Sequence, residues 1–152
     1  MQFVAEKHDW TTFVSMQNFY NLLYGEEERE MNKFCMETGV EFIPWGPLLQ
    51  GQLARPHHVM GSTPRSSGKA SLPEADVSII SRVEEVAKKK GWKRSHVAIA
   101  WLMYKGISSP IIGFSTVERI DEALEGNRKT LTDEEVKYLE ESYVPKNIMG
   151  HS

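Results

Sequence analysis

Ser109-Pro110-Ile111-Ile112-Gly113-Phe114-Ser115-Thr116-Val117-Glu118-Arg119 is the segment that decides the fold class, because an apolar run stops at a glycine and continues as an amphipathic helix. It predicts a strand, a tight turn and a helix start. Ser115 and Glu118 have the spacing of a capping box. Arg119 places a cation in the first helical turn, where the helix dipole disfavours one, and a bound phosphate would balance that charge. A solvated arginine behind an ordinary cap is the alternative interpretation, and this segment alone favours it.

Two earlier segments, residues 12–17 and 40–43, have the same strand character. Both are rich in β-branched and aromatic residues, which is typical of buried strands. Helical patterns separate and follow the strands at 26–39, from a Ser71/Glu74 capping box to 91, at 95–105 and at 117–124, with a final helix after a Thr132/Glu135 capping box. Apolar strands joined by long connections predict parallel pairing through right-handed crossovers, and therefore an α/β fold.

Ligands of such folds bind beyond the carboxyl ends of the strands. Those ends are Gln17-Asn18, Trp45-Gly46 and Gly113-Phe114-Ser115. The sequence therefore predicts that three polar or aromatic strand tips converge at one rim.

The composition excludes several function classes. The chain has 152 residues, 40% hydrophobic and 26% charged, which predicts one soluble domain with a core. A net charge of -3 gives no overall attraction to nucleic acid or to anionic membranes. No apolar run approaches the ~20 residues of a membrane span, and no secretory leader is evident, so a cytoplasmic location is expected. The single cysteine, Cys35, is predicted to be a buried thiol, and the histidines lack metal-ligand spacing.

Residues 48–71 are predicted to form a long flexible loop, because they combine glycine, proline and serine with scattered cations. The lysine run Lys88-Lys89-Lys90 before Gly91 is interpreted as a solvated helix end.

The three strand tips carry longer motifs, in order and each on the expected element. They are Met16-Gln17-Asn18-Phe19-Tyr20-Asn21-Leu22-Leu23-Tyr24, Ile43-Pro44-Trp45-Gly46-Pro47-Leu48, and Pro110-Ile111-Ile112-Gly113-Phe114-Ser115 with Arg119 and Glu122. In this combination the chain resembles the aldo-keto reductases, which are NADP-dependent (β/α)8 barrels, and more closely their fungal reductase and aryl-alcohol-dehydrogenase-like members. The resemblance implies a partial (β/α)8 TIM barrel. Residues 1–152 would be the C-terminal part of the domain and would supply strands six to eight with their helices.

The resemblance also assigns the tips roles toward NADP(H). Gln17 would hydrogen-bond the nicotinamide carboxamide, and Trp45 would stack on the nicotinamide ring. Arg119 would pair with the 2′-phosphate. The complete cofactor-binding set that it implies, with Gly113 and Ser115 near the adenosine phosphate and Glu122 at the adenosine end, is Gln17, Trp45, Gly46, Leu48, Gly113, Ser115, Arg119 and Glu122. The alternatives are that Gln17 satisfies backbone groups and that Trp45 is a core aromatic.

Four positions depart from the family pattern. Gly46 stands where related reductases often carry serine, Leu49-Gln50 replaces a commonly small or basic pair, and Ala123 stands where some relatives have asparagine. Cofactor binding is therefore expected to be weak or lost in this chain alone.

The family's proton donor is a tyrosine tuned by lysine, histidine and aspartate, and those four residues lie on the first four strands. No tyrosine of this chain matches it, so no catalytic residue is assigned, and no metal ligand. One hypothesis is an NADP-dependent reductase, acting on a small carbonyl or alcohol substrate in its full-length form and inactive as this chain alone. The others are a non-catalytic remnant or interaction module, and an unrelated phosphate-binding α/β domain. Open barrel edges would favour self-association.

Overall fold

The computed structural model describes residues 1–55 and 72–149. Short strands alternate with helices along these ranges, which confirms the predicted α/β class. The elements are α1 (Gln2–Lys7), β1 (Ser15–Met16), α2 (Met31–Thr38), β2 (Glu41–Phe42), α3 (Glu74–Lys90), α4 (Arg94–Tyr104), α5 (Val117–Asn127) and α6 (Asp133–Glu140), with 3-10 turns at Glu26–Arg29 and Leu49–Gly51.

The three predicted strand segments lie side by side and parallel, with β2 in the middle. Ser15 of β1 stands opposite Glu41 of β2. Beyond this ladder, parallel bridges join Phe19 to Trp45 and Trp45 to Ile111. The amide of Ile111 donates to the carbonyl of Pro44 at 2.8 Å. The strand tips are therefore neighbours, as their sequence order predicted.

The core lies where α3, α4 and α6 pack against one another and against the sheet. Its fully buried side chains include Ile79, Ile80, Val83, Val97, Leu102 and Leu139. Cys35 is buried as predicted, and burial raises the pKa of its thiol. The Thr132/Glu135 capping box is confirmed, since Thr132 N donates to the Glu135 carboxylate at 3.0 Å and Glu135 N donates back to the Thr132 hydroxyl at 3.3 Å.

The first predicted strand is shorter and more exposed than expected. Ladder pairing covers only Ser15–Met16, and Phe13 and Val14 are 55% and 74% exposed. The physical reason is that no strand from residues 1–55 or 72–149 lies beside the outer edge of β1. In place of a strand, the Gln2 carboxamide pairs with the backbone of Phe13, donating to its carbonyl at 2.7 Å and accepting from its amide at 2.8 Å.

Two predictions about helix ends need correction. The helix after the third strand segment begins one residue late, because Thr116, in extended conformation, is its N-cap and not Ser115. The last lysine of the 88–90 run is not solvated. Lys90 lies against α6, where its ammonium donates to both carboxylate oxygens of Glu135 at 2.7 and 2.9 Å and lies 4.6 Å from the ring centroid of Trp92.

Only the beginning of the predicted loop at 48–71 falls within the described ranges. Leu49–Gly51 forms a 3-10 turn, and Leu53 is fully buried. Residues 56–71 lie outside the described residues, so the flexibility of the loop stays a prediction. Among residues 1–55 and 72–149, no helix is long and apolar enough to cross a membrane.

Candidate functional site

We call the rim the three strand tips and the turns that follow them, residues 17–19, 45–51 and 111–119. Trp45 is at its centre, because its backbone bridges to Phe19 on one side and to Ile111 on the other. Its indole is 44% exposed. Trp45 is therefore not a core aromatic, which was the alternative interpretation of this residue. A large, flat, half-exposed ring can stack on a planar ligand.

The first strand tip, next to the strand that carries Trp45, has two residues with amide side chains, Gln17 and Asn18. Gln17 is exposed, whereas Asn18 is only 7% exposed. The carbonyl of Asn18 accepts the Trp45 amide at 2.8 Å. Among the described residues, the side-chain amide of Asn18 has no hydrogen-bond partner for either its nitrogen or its oxygen. The sequence placed Asn18 at a strand tip without giving it a role, and no pattern in the chain signals an orphaned amide.

The turn after β2 has an unusual backbone. Leu49 and Gln50 have φ of 43° and 55°, and Gly51 follows at 93°. Left-handed φ costs non-glycine residues about 1–2 kcal/mol each, because of their Cβ atom, so Leu49 and Gln50 are strained here. Leu48 is half-buried against the core, and its carbonyl accepts from Gly51 N at 2.9 Å and from the fully buried Leu53 at 3.3 Å. The turn is thus held by its neighbours despite the strain.

The third strand tip leads into the N-terminus of α5. Gly113 and Ser115 are exposed on this turn. Thr116 makes no side-chain cap to the α5 amides. The Glu118 carboxylate accepts from its own backbone amide and from the Thr116 hydroxyl, which lowers the pKa of Glu118. Arg119 is exposed, and no carboxylate of the described residues pairs with it. The first turn of α5 therefore presents an unpaired cation to solvent.

Within the described ranges, Glu122 is the predicted site residue whose side chain forms an ion pair. The Lys93 ammonium is 2.8 Å from its carboxylate, and the Ser95 hydroxyl also donates to it. Burial works to raise the pKa of Glu122, but the hydrogen bonds from Lys93 and Ser95 outweigh burial and hold the pKa below its usual value. The carboxylate thus joins α5 to the start of α4, and its role toward an adenosine stays a prediction.

Four tyrosines of the described ranges have raised pKa values, which makes them poorly suited to donate a proton. Burial and a hydrogen bond to Glu28 raise the pKa of Tyr20, and burial and a hydrogen bond to Glu26 raise that of Tyr143. Hydrogen bonds to carboxylates also raise the pKa of Tyr104 and Tyr138. A proton-donating residue works best with a pKa near the working pH. Within the same ranges, no cluster of three histidine, cysteine or acidic side chains could hold a metal ion.

Comparisons with known proteins point to one family. Residues 1–144 match the Aldo/keto reductase family. An aldo-keto reductase of Fusarium vanettenii is 53% identical over 100% of this chain and 42% of its own length. Versiconal hemiacetal acetate reductase of Aspergillus parasiticus is 46% identical over 97% and 45%, and a putative aryl-alcohol dehydrogenase of Schizosaccharomyces pombe is 45% identical over 99% and 44%. The chain thus spans less than half the length of these relatives.

Solved structures agree on the fold. A thermostable aldo-keto reductase in complex with the inhibitor epalrestat has a TM-score of 0.69 at 24% identity, over 93% of this chain and 44% of that one. The glycerol dehydrogenase of Gluconobacter oxydans has a TM-score of 0.73 at 19% identity, over 95% and 47%. At these identities the likeness concerns the fold alone.

Proposed function

The chain belongs to the aldo/keto reductase family, and on that premise we propose that its rim holds part of NADP(H) in an oxidoreductase of aldehydes, ketones or alcohols. The observation that carries the proposal is the pair of parallel bridges that sets the half-exposed Trp45 between the other two strand tips. The names of two relatives, a hemiacetal acetate reductase and a putative aryl-alcohol dehydrogenase, support this substrate class. We further propose that the fold is a partial (β/α)8 barrel containing strands six to eight.

The residues present at the rim fit a dinucleotide. Trp45 offers a half-exposed ring for the nicotinamide, and the neighbouring Gln17 offers an exposed amide for its carboxamide. Gly46 and Leu48 would line the turn between the two ends of the cofactor. An apolar ring beside an amide is the combination that a nicotinamide, flat and polar at one edge, requires.

The other end of the rim fits a phosphate. Arg119 is an exposed cation without a described partner, in the first turn of a helix whose N-cap side chain does not bond the amides, although the Glu118 amide donates to its own carboxylate. Helix amides together with a guanidinium favour phosphate. We propose that Arg119 pairs with the 2′-phosphate, that Gly113 and Ser115 approach the adenosine phosphate, and that Glu122 faces the adenosine.

When bound, the cofactor supplies or accepts a hydride. The residues of this chain would bind and orient it, with Trp45 and Gln17 fixing the ring and Arg119 fixing the far end. Carbonyl reduction also needs a proton donor, and the tyrosines with raised pKa values do not supply one. We therefore propose that the 152-residue chain binds the cofactor without reducing carbonyl compounds by itself.

The test is a titration of the chain with NADPH, followed by the fluorescence of the nucleotide. Arg119→Ala removes a charge-assisted contact of about 1.5–3 kcal/mol, so the affinity should fall roughly ten- to hundredfold. Arg128→Ala is the matched control, because Arg128 is also exposed but caps the other end of α5. Equal affinities for wild type and Arg119→Ala would refute the phosphate assignment.

A non-catalytic interaction module is the second candidate, favoured by exposed apolar side chains just before β1 and on α5. Phe13 and Val14 precede β1, and Val117 and Leu124 lie on α5, all more than half exposed. Large exposed apolar surfaces favour association, and we propose that two copies of the chain associate through these side chains. Sedimentation equilibrium of wild type and of Val14→Lys tests this self-association, because a monomeric wild type contradicts it.

A cytoplasmic location of the protein stays a proposal.

A further inference from the structure

The indole of Trp45 rests on one aromatic neighbour, Phe19. The two ring centroids are 4.4 Å apart, with the rings inclined by 35°. Phe19 is only 9% exposed, and the ring of Tyr24 lies 5.0 Å away from it. The parallel bridge between Phe19 and Trp45 fixes their backbones as well. Trp45 is thus supported by a buried aromatic pair while nearly half of its surface faces solvent.

Gly46 makes this arrangement possible. A Cβ at position 46 would lie 2.5 Å from Cε2 and 2.9 Å from Cδ2 of Phe19. The φ of 69° already favours glycine there. Gly39 has the same φ of 69°, but a Cβ on it would meet nothing within 4 Å. The absence of a side chain at 46 is therefore required by the Phe19 ring as well as by the backbone.

The turn that carries Gly46 is held from the same side. The Asn21 side chain donates to the Gly46 carbonyl at 3.0 Å and accepts from Leu23 N at 3.0 Å. Asn21 is 1% exposed, so these bonds are shielded from water. Phe19 and Asn21 come from the same segment. Phe19 packs against the ring of Trp45, and Asn21 holds the turn that follows Trp45.

We infer that Phe19 is a positioning residue, which fixes the Trp45 indole in the orientation that stacks on the nicotinamide, and that Gly46 lacks a side chain to leave room for it. The ligand in this inference rests on the proposed function. The packing of Phe19, Gly46 and Trp45 does not, and it is tested in the ligand-free chain.

The ligand-free test uses 19F NMR of the chain labelled with 5-fluorotryptophan. The chain has four tryptophans, and the signal that disappears in Trp45→Phe is assigned to Trp45. Phe19→Leu should shift and broaden the Trp45 signal and leave those of Trp92 and Trp101 in place. Phe34→Leu is the control, because it makes the same change at a half-buried phenylalanine of α2. A Trp45 signal that Phe19→Leu leaves unchanged overturns the inference.

The glycine test compares two substitutions by their thermal unfolding midpoints. Gly46→Ala should lower the Tm more than Gly39→Ala, because the two share the backbone strain and only the first meets Phe19. In a Phe19→Leu background the excess loss at position 46 should shrink. An equal loss at both glycines in the wild-type background contradicts the role assigned to Gly46.

The ligand test uses the two halves of the cofactor separately, as reduced nicotinamide mononucleotide and as 2′,5′-ADP. Phe19→Leu should weaken mononucleotide binding by about two- to tenfold, the value of one aromatic contact, and leave 2′,5′-ADP unchanged. An equal loss for both ligands overturns a selective positioning role. If wild type binds neither half nor NADPH, the proposed function fails, while the NMR signal and the Tm comparison still decide the inference.

Discussion

The helical layer, formed by α3, α4 and α6, and the rim differ in how completely their groups are partnered. In the helical layer, the core side chains are fully buried, and several polar and charged groups are paired across helices. Trp101 Nε1 donates to Glu140 at 2.7 Å, and Lys105 lies 3.1 Å from the same carboxylate. At the rim, Asn18 has no partner for its amide, Arg119 has none among the described residues, and the Trp45 ring is half exposed.

This difference separates what holds the chain together from what the chain presents to a ligand. An orphaned amide and left-handed φ at Leu49 and Gln50 each reduce stability. Such features persist where the surrounding structure enforces them, and they cluster at functional sites. We therefore expect substitutions in the helical layer to act on stability, and substitutions of the exposed polar side chains at the rim, such as Arg119, to act on binding.

The largest contrast should come from two leucines. Leu102 of α4 is fully buried, whereas Leu124 of α5 is 57% exposed. Leu102→Ala should lower the free energy of unfolding by about 2–5 kcal/mol, because it leaves a cavity. Leu124→Ala should change it by less than about 0.5 kcal/mol. Urea denaturation followed by circular dichroism measures both, and a similar loss at the two positions would break the comparison.

The next largest change in stability is expected at Glu26, which joins the segment after α6 to the turn before α2 by hydrogen bonds. Its carboxylate accepts from the Tyr143 hydroxyl at 2.6 Å and from Lys146 N at 2.7 Å, and these bonds lower the pKa of Glu26. A lowered pKa contributes stability above the unfolded value of about 4.3, and that stability is lost as the pH falls through the lower folded value.

Glu26→Gln should therefore lower the free energy of unfolding at pH 7 by about 1.5–3 kcal/mol. It should also flatten the fall in stability below about pH 4.3. Urea midpoints measured from pH 3 to 7 check both expectations. A variant with the same acid profile as wild type would mean that Glu26 does not titrate differently in the folded chain.

Smaller changes in the free energy of unfolding, of opposite sign, are expected from substitutions of two buried asparagines, one at the rim and one next to it. Asn18→Leu should raise the free energy of unfolding by about 1 kcal/mol, because it removes an amide without partners. Asn21→Leu should lower it, because two hydrogen bonds of about 1 kcal/mol each are lost. Thermal denaturation distinguishes the two signs, and a loss at Asn18 equal to that at Asn21 would show that its amide is satisfied.

The smallest effect on stability should come from Arg119→Ala. The side chain is exposed and has no described ion-pair partner, so the free energy of unfolding should change by less than about 0.5 kcal/mol. Denaturation curves of wild type and variant should overlay. A destabilisation above 1 kcal/mol would mean that Arg119 supports the fold.

Sequence patterns predicted the helical layer well and the rim incompletely. Apolar spacing located α3, α4 and α6, and the Thr132/Glu135 spacing located a cap, because these features depend on neighbours in the chain. The exposure of Val14 and the ion pair between Lys90 and Glu135 depend on which elements lie next to these residues in the folded chain. Local spacing does not encode such contacts.

The rim shows the same limit. Its three tips were predicted from the order of strands, and the bridges at Trp45 confirm that they are neighbours. The support of Trp45 by Phe19, the orphaned amide of Asn18 and the pairing of Glu122 with Lys93 are contacts between side chains that no spacing in the sequence predicts.

The most direct test of the cofactor claim is the ratio of NADPH to NADH affinity, measured by fluorescence titration for the wild-type chain and for Arg119→Ala. The two nucleotides differ only in the 2′-phosphate, so the ratio isolates the contact assigned to Arg119. The account predicts a wild-type preference for NADPH of roughly tenfold or more that Arg119→Ala abolishes without changing the affinity for NADH. Equal affinities for the two nucleotides in wild type, or a preference that survives in Arg119→Ala, would contradict it.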